Sequence, residues 1–88
     1  MKLWLLRPQE KLQDNPWEPW YNKSFGFIVR AETEIDARNM AHENGGEENL
    51  EEWENETRTP WKDAAYSTCT ELMPAGKAGV VMNDFSRA

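Results

Sequence analysis

His42 and Cys69 are the only histidine and the only cysteine in this 88-residue chain, so nucleophilic catalysis has few groups to use. A hydroxyl or thiol nucleophile needs a nearby base that a third group holds in place. We expect His42 to face solvent beyond the apolar stripe of its helix, and Cys69 to act as a small hydrophobic residue. A zinc site would need three or four Cys and His ligands. The sequence therefore predicts no enzymatic activity, no metal site and no cofactor.

Carboxylates are the other reactive groups, and they are concentrated in one segment. Between Glu43 and Glu56 the sequence has seven carboxylates and no Lys or Arg. From Glu32 to Glu56 ten acids accompany a single base, Arg38, which gives this acidic segment a net charge of −9. The rest of the chain carries +3, so the total is −6. A field concentrated on one side of a small protein attracts a basic partner and repels nucleic acid.

Leu50 and Trp53 lie inside the acidic run and give it an apolar anchor with a charged rim, the usual anatomy of an interface hot spot. Carboxylates at near-helical spacing also imitate a phosphate backbone, which makes a nucleic-acid-binding complex of a host cell a suitable partner. The alternative is a solvated face without a partner. We predict that a basic protein surface is bound by nine residues, namely Glu43, Glu47, Glu48, Leu50, Glu51, Glu52, Trp53, Glu54 and Glu56.

Trp17, Trp20 and Tyr21 form an aromatic group in a segment that two prolines keep extended. In one interpretation this loop folds back and seals one side of the sheet. In the other it is an exposed secondary partner-binding patch, and the chain is a small structural or housekeeping subunit that self-associates through it. Direct binding of nucleic acid is disfavoured, because the bases outside the acidic segment are scattered rather than gathered in a stripe.

Strands are predicted where apolar residues run continuously or alternate. A continuous run predicts a strand over residues 2–7 that is buried on both faces and ends before a proline. Alternation predicts a second strand over residues 25–31. The composition of residues 65–72 and of residues 79–82 predicts two more.

A capping box at Thr33 predicts a helix over residues 34–44, whose apolar stripe is formed by Ala37, Met40 and Ala41 with Ile35 alongside. A short acidic second helix is predicted over residues 47–55. The whole chain is expected to form a single α+β domain over residues 1–88, with a small, mostly antiparallel sheet of about four strands.

Parts of the sequence resemble a family of small acidic proteins of phages and bacteria whose function is uncharacterised. The similar stretches are WEPWYNKSFGFIVRAETE at 17–34, AR at 37–38, WKD at 61–63, TCTEL at 68–72 and GVVMNDF at 79–85. In size and acidity the chain also resembles phage-encoded inhibitors of host defence, including anti-CRISPR proteins. The likeness implies no catalytic residue.

We expect a cytoplasmic protein, in the host cytoplasm if a phage encodes it. No stretch is apolar over the roughly 20 residues that a membrane span requires. The apolar run from Leu3 to Leu6 is too short for the central region of a signal peptide. A single cysteine excludes an internal disulfide, which fits a reducing compartment.

Overall fold

The computed structural model describes residues 1–9, 17, 22–50, 52–53, 56–57 and 59–84, and for residues 50, 52–53 and 56–57 it describes the backbone. One helix and a three-stranded antiparallel sheet make an α+β fold, as predicted. None of the helices within these ranges has the length and apolar content needed to cross a membrane. The elements are β1 (Lys2–Pro8), β2 (Phe27–Ala31), α1 (Glu34–Glu43), a 3₁₀ turn (Glu47–Leu50), β3 (Glu52–Trp53), β4 (Glu56–Thr57) and β5 (Ser67–Leu72).

Strand β1 is the centre of the sheet, with β2 and β5 antiparallel on its two sides. Successive side chains of a strand point to opposite faces. Trp4 and Leu6 are buried on the face that α1 covers, whereas Leu3 and Leu5 on the other face are half-buried. The strand is therefore confirmed, but its predicted burial on both faces is wrong, because α1 covers one face of the sheet.

Helix α1 begins where the capping pattern places it. The Thr33 hydroxyl accepts a hydrogen bond from the Asp36 N–H at 3.2 Å, which satisfies one of the unpaired donors of the first turn. Ala37 and Ala41 are fully buried in the core. These small side chains allow the helix to lie close to the sheet, and it packs mainly against β2.

The centre of the core is the indole of Trp61, which is fully buried. Its ring centroid lies 4.6 Å from that of Trp17 and 4.9 Å from that of Phe27, which meets it edge-on. Tilted and edge-on aromatic pairs of this kind contribute about 0.5–1.5 kcal/mol beyond the area that they bury. Residues far apart in sequence are thus held together at one end of the sheet.

Residues 79–82, predicted as a strand, do not form one. A strand needs a neighbouring edge, and within the described part of the chain no backbone hydrogen bond joins this segment to the sheet. The segment is positioned instead by an ion pair, in which the Arg7 guanidinium lies 3.2 Å from the carboxylate of Asp84.

The predicted second helix over residues 47–55 is also wrong. Its first turn is the 3₁₀ turn, and the chain then forms a two-stranded ribbon in which Trp53 pairs with Glu56. Two causes act together. A longer helix would place acids four residues apart, which is unfavourable, and Glu48 turns inward to bind other parts of the chain.

Strand β1 extends one residue beyond its predicted end and includes Pro8, which lies opposite Ser67. Two other strands begin later than predicted because other hydrogen bonds compete with the ladder. Strand β2 begins at Phe27 rather than at residue 25, where the Phe25 carbonyl accepts a hydrogen bond from Arg7 at 2.9 Å. Strand β5 begins at Ser67 because the Asp63 carbonyl accepts from the N–H groups of Tyr66 and Ser67, each at 3.0 Å, and forms a turn.

Candidate protein-binding surface

The solvent side of α1 is acidic. Glu32, Glu34, Asp36 and Glu43 are all exposed. Asp36, Met40 and Glu43 are spaced i, i+4 and i+7, so they share one face of the helix. Acids also complement the positive N-terminal end of the helix dipole, which accounts for Glu34 and Asp36 in the first turn. We call this surface the acidic helix face and define it by Glu32, Asp36 and Glu43 with their exposed neighbours.

Two apolar side chains border the acidic helix face, and the sequence pattern misassigned both. Ile35 is 72% exposed and Met40 is 40% exposed, although both were predicted to pack beside Ala37 and Ala41. At about 100° per residue, Ile35 lies roughly 200° from Ala37 around the helix axis. The spacing of the two residues in the sequence gives this angle, which places Ile35 on the solvent side of the helix.

Arg38, the single base of the acidic segment, points inward and is 7% exposed. Its guanidinium donates to the carbonyl of Trp61 at 3.1 Å, and to the hydroxyl and carbonyl of Ser67 at 2.9 and 3.2 Å. It also forms an ion pair with Glu34 at 3.0 Å. The planar fork of arginine suits this convergence of acceptors. The one positive charge of the segment is therefore withdrawn from the surface, and the exposed charges that remain around α1 are acidic.

Glu48 was predicted to contact a partner, and the structure places it in the interior at 0% exposure. Its carboxylate accepts hydrogen bonds from the indole N–H of Trp61 at 2.8 Å, from the N–H of Gly46 at 2.9 Å and from the N–H of Ser24 at 3.2 Å. A buried carboxylate is stable only when such donors replace water. A side chain at Gly46 would collide with the carbonyl of Asn22, which explains the glycine at this close approach. Glu48 therefore joins the turn to the core.

The structure locates most of the other residues that were predicted to bind a partner in the acidic run. Glu43 is exposed at the end of α1. Glu47 is half-buried, and its carboxylate accepts a hydrogen bond from the Asn22 amide at 3.2 Å. Leu50 ends the 3₁₀ turn, and three further residues lie on the backbone of the β3–β4 ribbon: Glu52, Trp53 and Glu56. The predictions for Glu51 and Glu54 lie outside the described residues.

Trp17, predicted as part of a secondary binding patch, is 3% exposed. Its indole N–H donates to the carbonyl of Tyr66 at 3.2 Å, and its carbonyl accepts a hydrogen bond from Lys23. Its ring is thus held against Trp61 in the core and is not displayed to a partner. The predictions for Trp20 and Tyr21 lie outside the described residues.

His42 and Cys69 are both half-buried, so the expectation that His42 faces solvent is wrong. Among the described residues the buried Nδ1 atom of His42 has no hydrogen-bond partner, and no hydrogen bond joins this ring to Cys69. Burial raises the pKa of the Cys69 thiol above its ordinary value of 9.0, and the charge of Arg38 offsets part of that increase. The thiol is therefore protonated at neutral pH. Within the described ranges no three His, Cys, Asp or Glu side chains cluster as a metal site requires.

The chain was compared with protein-family models, with curated proteins and with solved structures, and none of these comparisons gave a match.

Proposed function

We propose that this chain is a non-enzymatic protein-binding module that presents its acidic side to a basic protein surface. One observation carries the proposal: the acids of α1 are exposed, whereas Arg38, the only base within the acidic segment, is buried in internal hydrogen bonds. The acidic run from Glu43 to Glu56 continues from the end of α1, so the two acidic segments adjoin in the sequence.

The acidic helix face has the composition of a recognition surface. Its charges would attract a basic partner over a Debye length of about 10 Å and raise the association rate. Ile35 and Met40, which border these charges, would then supply apolar contact that slows dissociation. The two contributions are separable, since charges act mainly on association and anchors on dissociation.

A basic surface that binds carboxylates in this arrangement is typical of proteins that bind nucleic acid. Together with the resemblance to acidic phage proteins, this favours a phage-derived inhibitor that occupies the nucleic-acid-binding surface of a host complex. The chain would compete with the phosphate backbone for the same arginines and lysines.

The proposal is tested by capture from a bacterial lysate at about 0.05 M and about 0.5 M salt, followed by kinetics with the captured protein. Asp36→Asn combined with Glu43→Gln removes two exposed charges from the acidic helix face. Ala75→Lys combined with Ala78→Lys changes the net charge by the same amount on the exposed segment after β5.

We expect the first pair to slow association about 3- to 10-fold at low salt and the second pair to leave it nearly unchanged. Ile35→Ala should instead speed dissociation. If both charge pairs slow association equally, net charge rather than the acidic helix face is responsible. If neither pair changes the rate, the acids are only a solvated surface and the proposal fails.

A further inference from the structure

The face of the sheet opposite α1 is apolar and carries no second layer among the described residues. It is formed by Leu3, Leu5, Ile28 and Leu72, which the strand register places side by side: Leu3 lies opposite Leu72, and Leu5 lies opposite Ile28. We call this surface the outer sheet face. An open groove of about 630 Å³ runs over it, and the segment after β5 adds Val81 and Met82 to the groove lining.

Several large apolar side chains on this side are exposed to solvent. Ile28 is 61% exposed, Met73 is 73% exposed and Val81 is 83% exposed, and all three line the groove. The largest apolar patch on a typical monomer is about 300–600 Å² and is often functional. The half-buried Leu3 and Leu5 line the same groove.

The strands of the outer sheet face carry few charges. Arg7 on this face is paired with Asp84 at 3.2 Å, and Arg30, which lies opposite Leu3, is exposed. Two copies that approached through their acidic helix faces would bring like charges together, which is strongly unfavourable. Two copies that approached through their outer sheet faces would bring together one exposed base of each copy, Arg30, instead of several carboxylates, and would keep the acidic sides at the greatest separation. Charge distribution therefore favours one mode of self-association.

The segment that contains Val80 and Val81 adds a second argument for this mode. Its composition is that of a strand, yet within the described residues no backbone hydrogen bond joins it to the rest of the chain. A strand-forming segment without a ladder is a ready site for pairing with another chain. In a symmetric dimer the same segment of each copy would lie beside the other, since an isologous interface uses one surface twice.

We propose that two copies of this chain associate through their outer sheet faces. Face-to-face sheets pack about 10 Å apart, with their inner side chains interdigitated. A stable interface buries about 800 Å² on each partner, and a contact limited to the outer sheet face and the segment after β5 is expected to give a reversible dimer. The acidic helix faces would then point outward on opposite sides, and the dimer would be bivalent. The dimer proposal does not rest on the function proposed for those faces.

Analytical ultracentrifugation from about 5 µM to about 1 mM tests the proposal, because mass action makes a reversible dimer concentration-dependent. Ile28→Lys and Val81→Lys place a charge on the outer sheet face. Ile35→Lys is the matched control, since the exposed fraction of Ile35, 72%, lies between those of Ile28 and Val81, but Ile35 lies on α1. Thermal melts by circular dichroism verify that each variant is folded.

We expect the wild type to dimerise, Ile28→Lys and Val81→Lys to weaken dimerisation at least tenfold, and Ile35→Lys to match the wild type. Raising the salt concentration should leave dimerisation unchanged or strengthen it, because the contact is apolar. A wild-type chain that stays monomeric up to about 1 mM overturns the proposal. So does equal weakening by Ile28→Lys and Ile35→Lys, or open-ended association without a dimer limit.

Discussion

Removing the carboxylate of Glu48 should destabilise the fold far more than removing the carboxylate next to it. Glu48 is fully buried and accepts hydrogen bonds from the indole of Trp61 and from two backbone N–H groups. In Glu48→Ala these donors lose their acceptor inside the protein. Each buried unsatisfied donor costs about 1–3 kcal/mol, and part of that cost is recovered where water enters, so we expect a loss of about 3–5 kcal/mol.

The loss is large in relation to the whole stability. A chain of this length is expected to have a free energy of unfolding of about 4–13 kcal/mol, at roughly 0.05–0.15 kcal/mol per residue. Glu48→Gln keeps one acceptor oxygen and turns the other into a donor that opposes an N–H group. We expect this variant to lose about 1–3 kcal/mol, between the wild type and Glu48→Ala.

Glu47→Ala is the matched control, because it removes the same charge one residue away. Glu47 is half-buried, and its side chain accepts a hydrogen bond from Asn22 at 3.2 Å that is exposed to solvent. We expect a loss of about 0.5 kcal/mol or less. Urea denaturation followed by tryptophan fluorescence and by circular dichroism gives all three values. If Glu48→Ala and Glu47→Ala are equally stable, the inward hydrogen bonds of Glu48 do not contribute and the reasoning is refuted.

Three further predictions concern α1 and β5. Arg38→Ala should lower the free energy of unfolding in urea by about 3–5 kcal/mol, because the buried carbonyls of Trp61 and Ser67 lose their donor. Arg38→Lys should have a stability between those of Arg38→Ala and the wild type, since a lysine cannot reproduce the planar fork of arginine; equal stability of the wild type and both variants would contradict the hydrogen-bond network. Thr33→Ala should cost about 1 kcal/mol through loss of the helix cap, with Thr33→Asn close to wild type in the same melts. Burial raises the pKa of the Cys69 thiol in the folded state, so its contribution to stability is complete below the unfolded pKa and is lost as the pH rises through the folded pKa. Between pH 7 and about pH 10 the free energy of unfolding of the wild type should therefore fall more steeply than that of Cys69→Ala; parallel curves of stability against pH would contradict the raised pKa.

The parts of the fold that sequence reasoning found are those with local signals. The capping pattern at Thr33 fixes the start of α1 because donor and acceptor are three residues apart. The alternation of β2 is likewise visible in five consecutive residues. Such signals need no knowledge of the remaining chain, and the observed elements lie close to their predicted ends.

The parts that sequence reasoning missed depend on distant partners. The local sequence predicts that Arg38 is exposed on the solvent side of a helix. Its burial depends on the carbonyl of Trp61 and on Ser67, which follow it in the sequence by 23 and 29 residues. The local sequence does not distinguish Glu48 from the other acids of the run. Its inward position depends on hydrogen bonds from Trp61 and Ser24. A carboxylate in an acidic run gives no local sign of which member turns inward. The strand predicted over residues 79–82 failed for a related reason, since composition alone does not provide a neighbouring edge.

The position of β1 at the centre of the sheet has a consequence for folding kinetics. Its apolar residues come early in the chain, yet Leu3 pairs with Leu72, so the ladder between β1 and β5 closes a loop that runs from residue 3 to residue 72. Domains dominated by such distant pairings fold more slowly than domains with local contacts. Before β5 pairs with β1, a partly folded chain with β1, β2 and α1 in place would leave the backbone N–H and C=O groups on one edge of β1 unpaired. The slowest step in refolding should therefore be the docking of β5, and variants at its pairing positions should slow folding more than variants in α1.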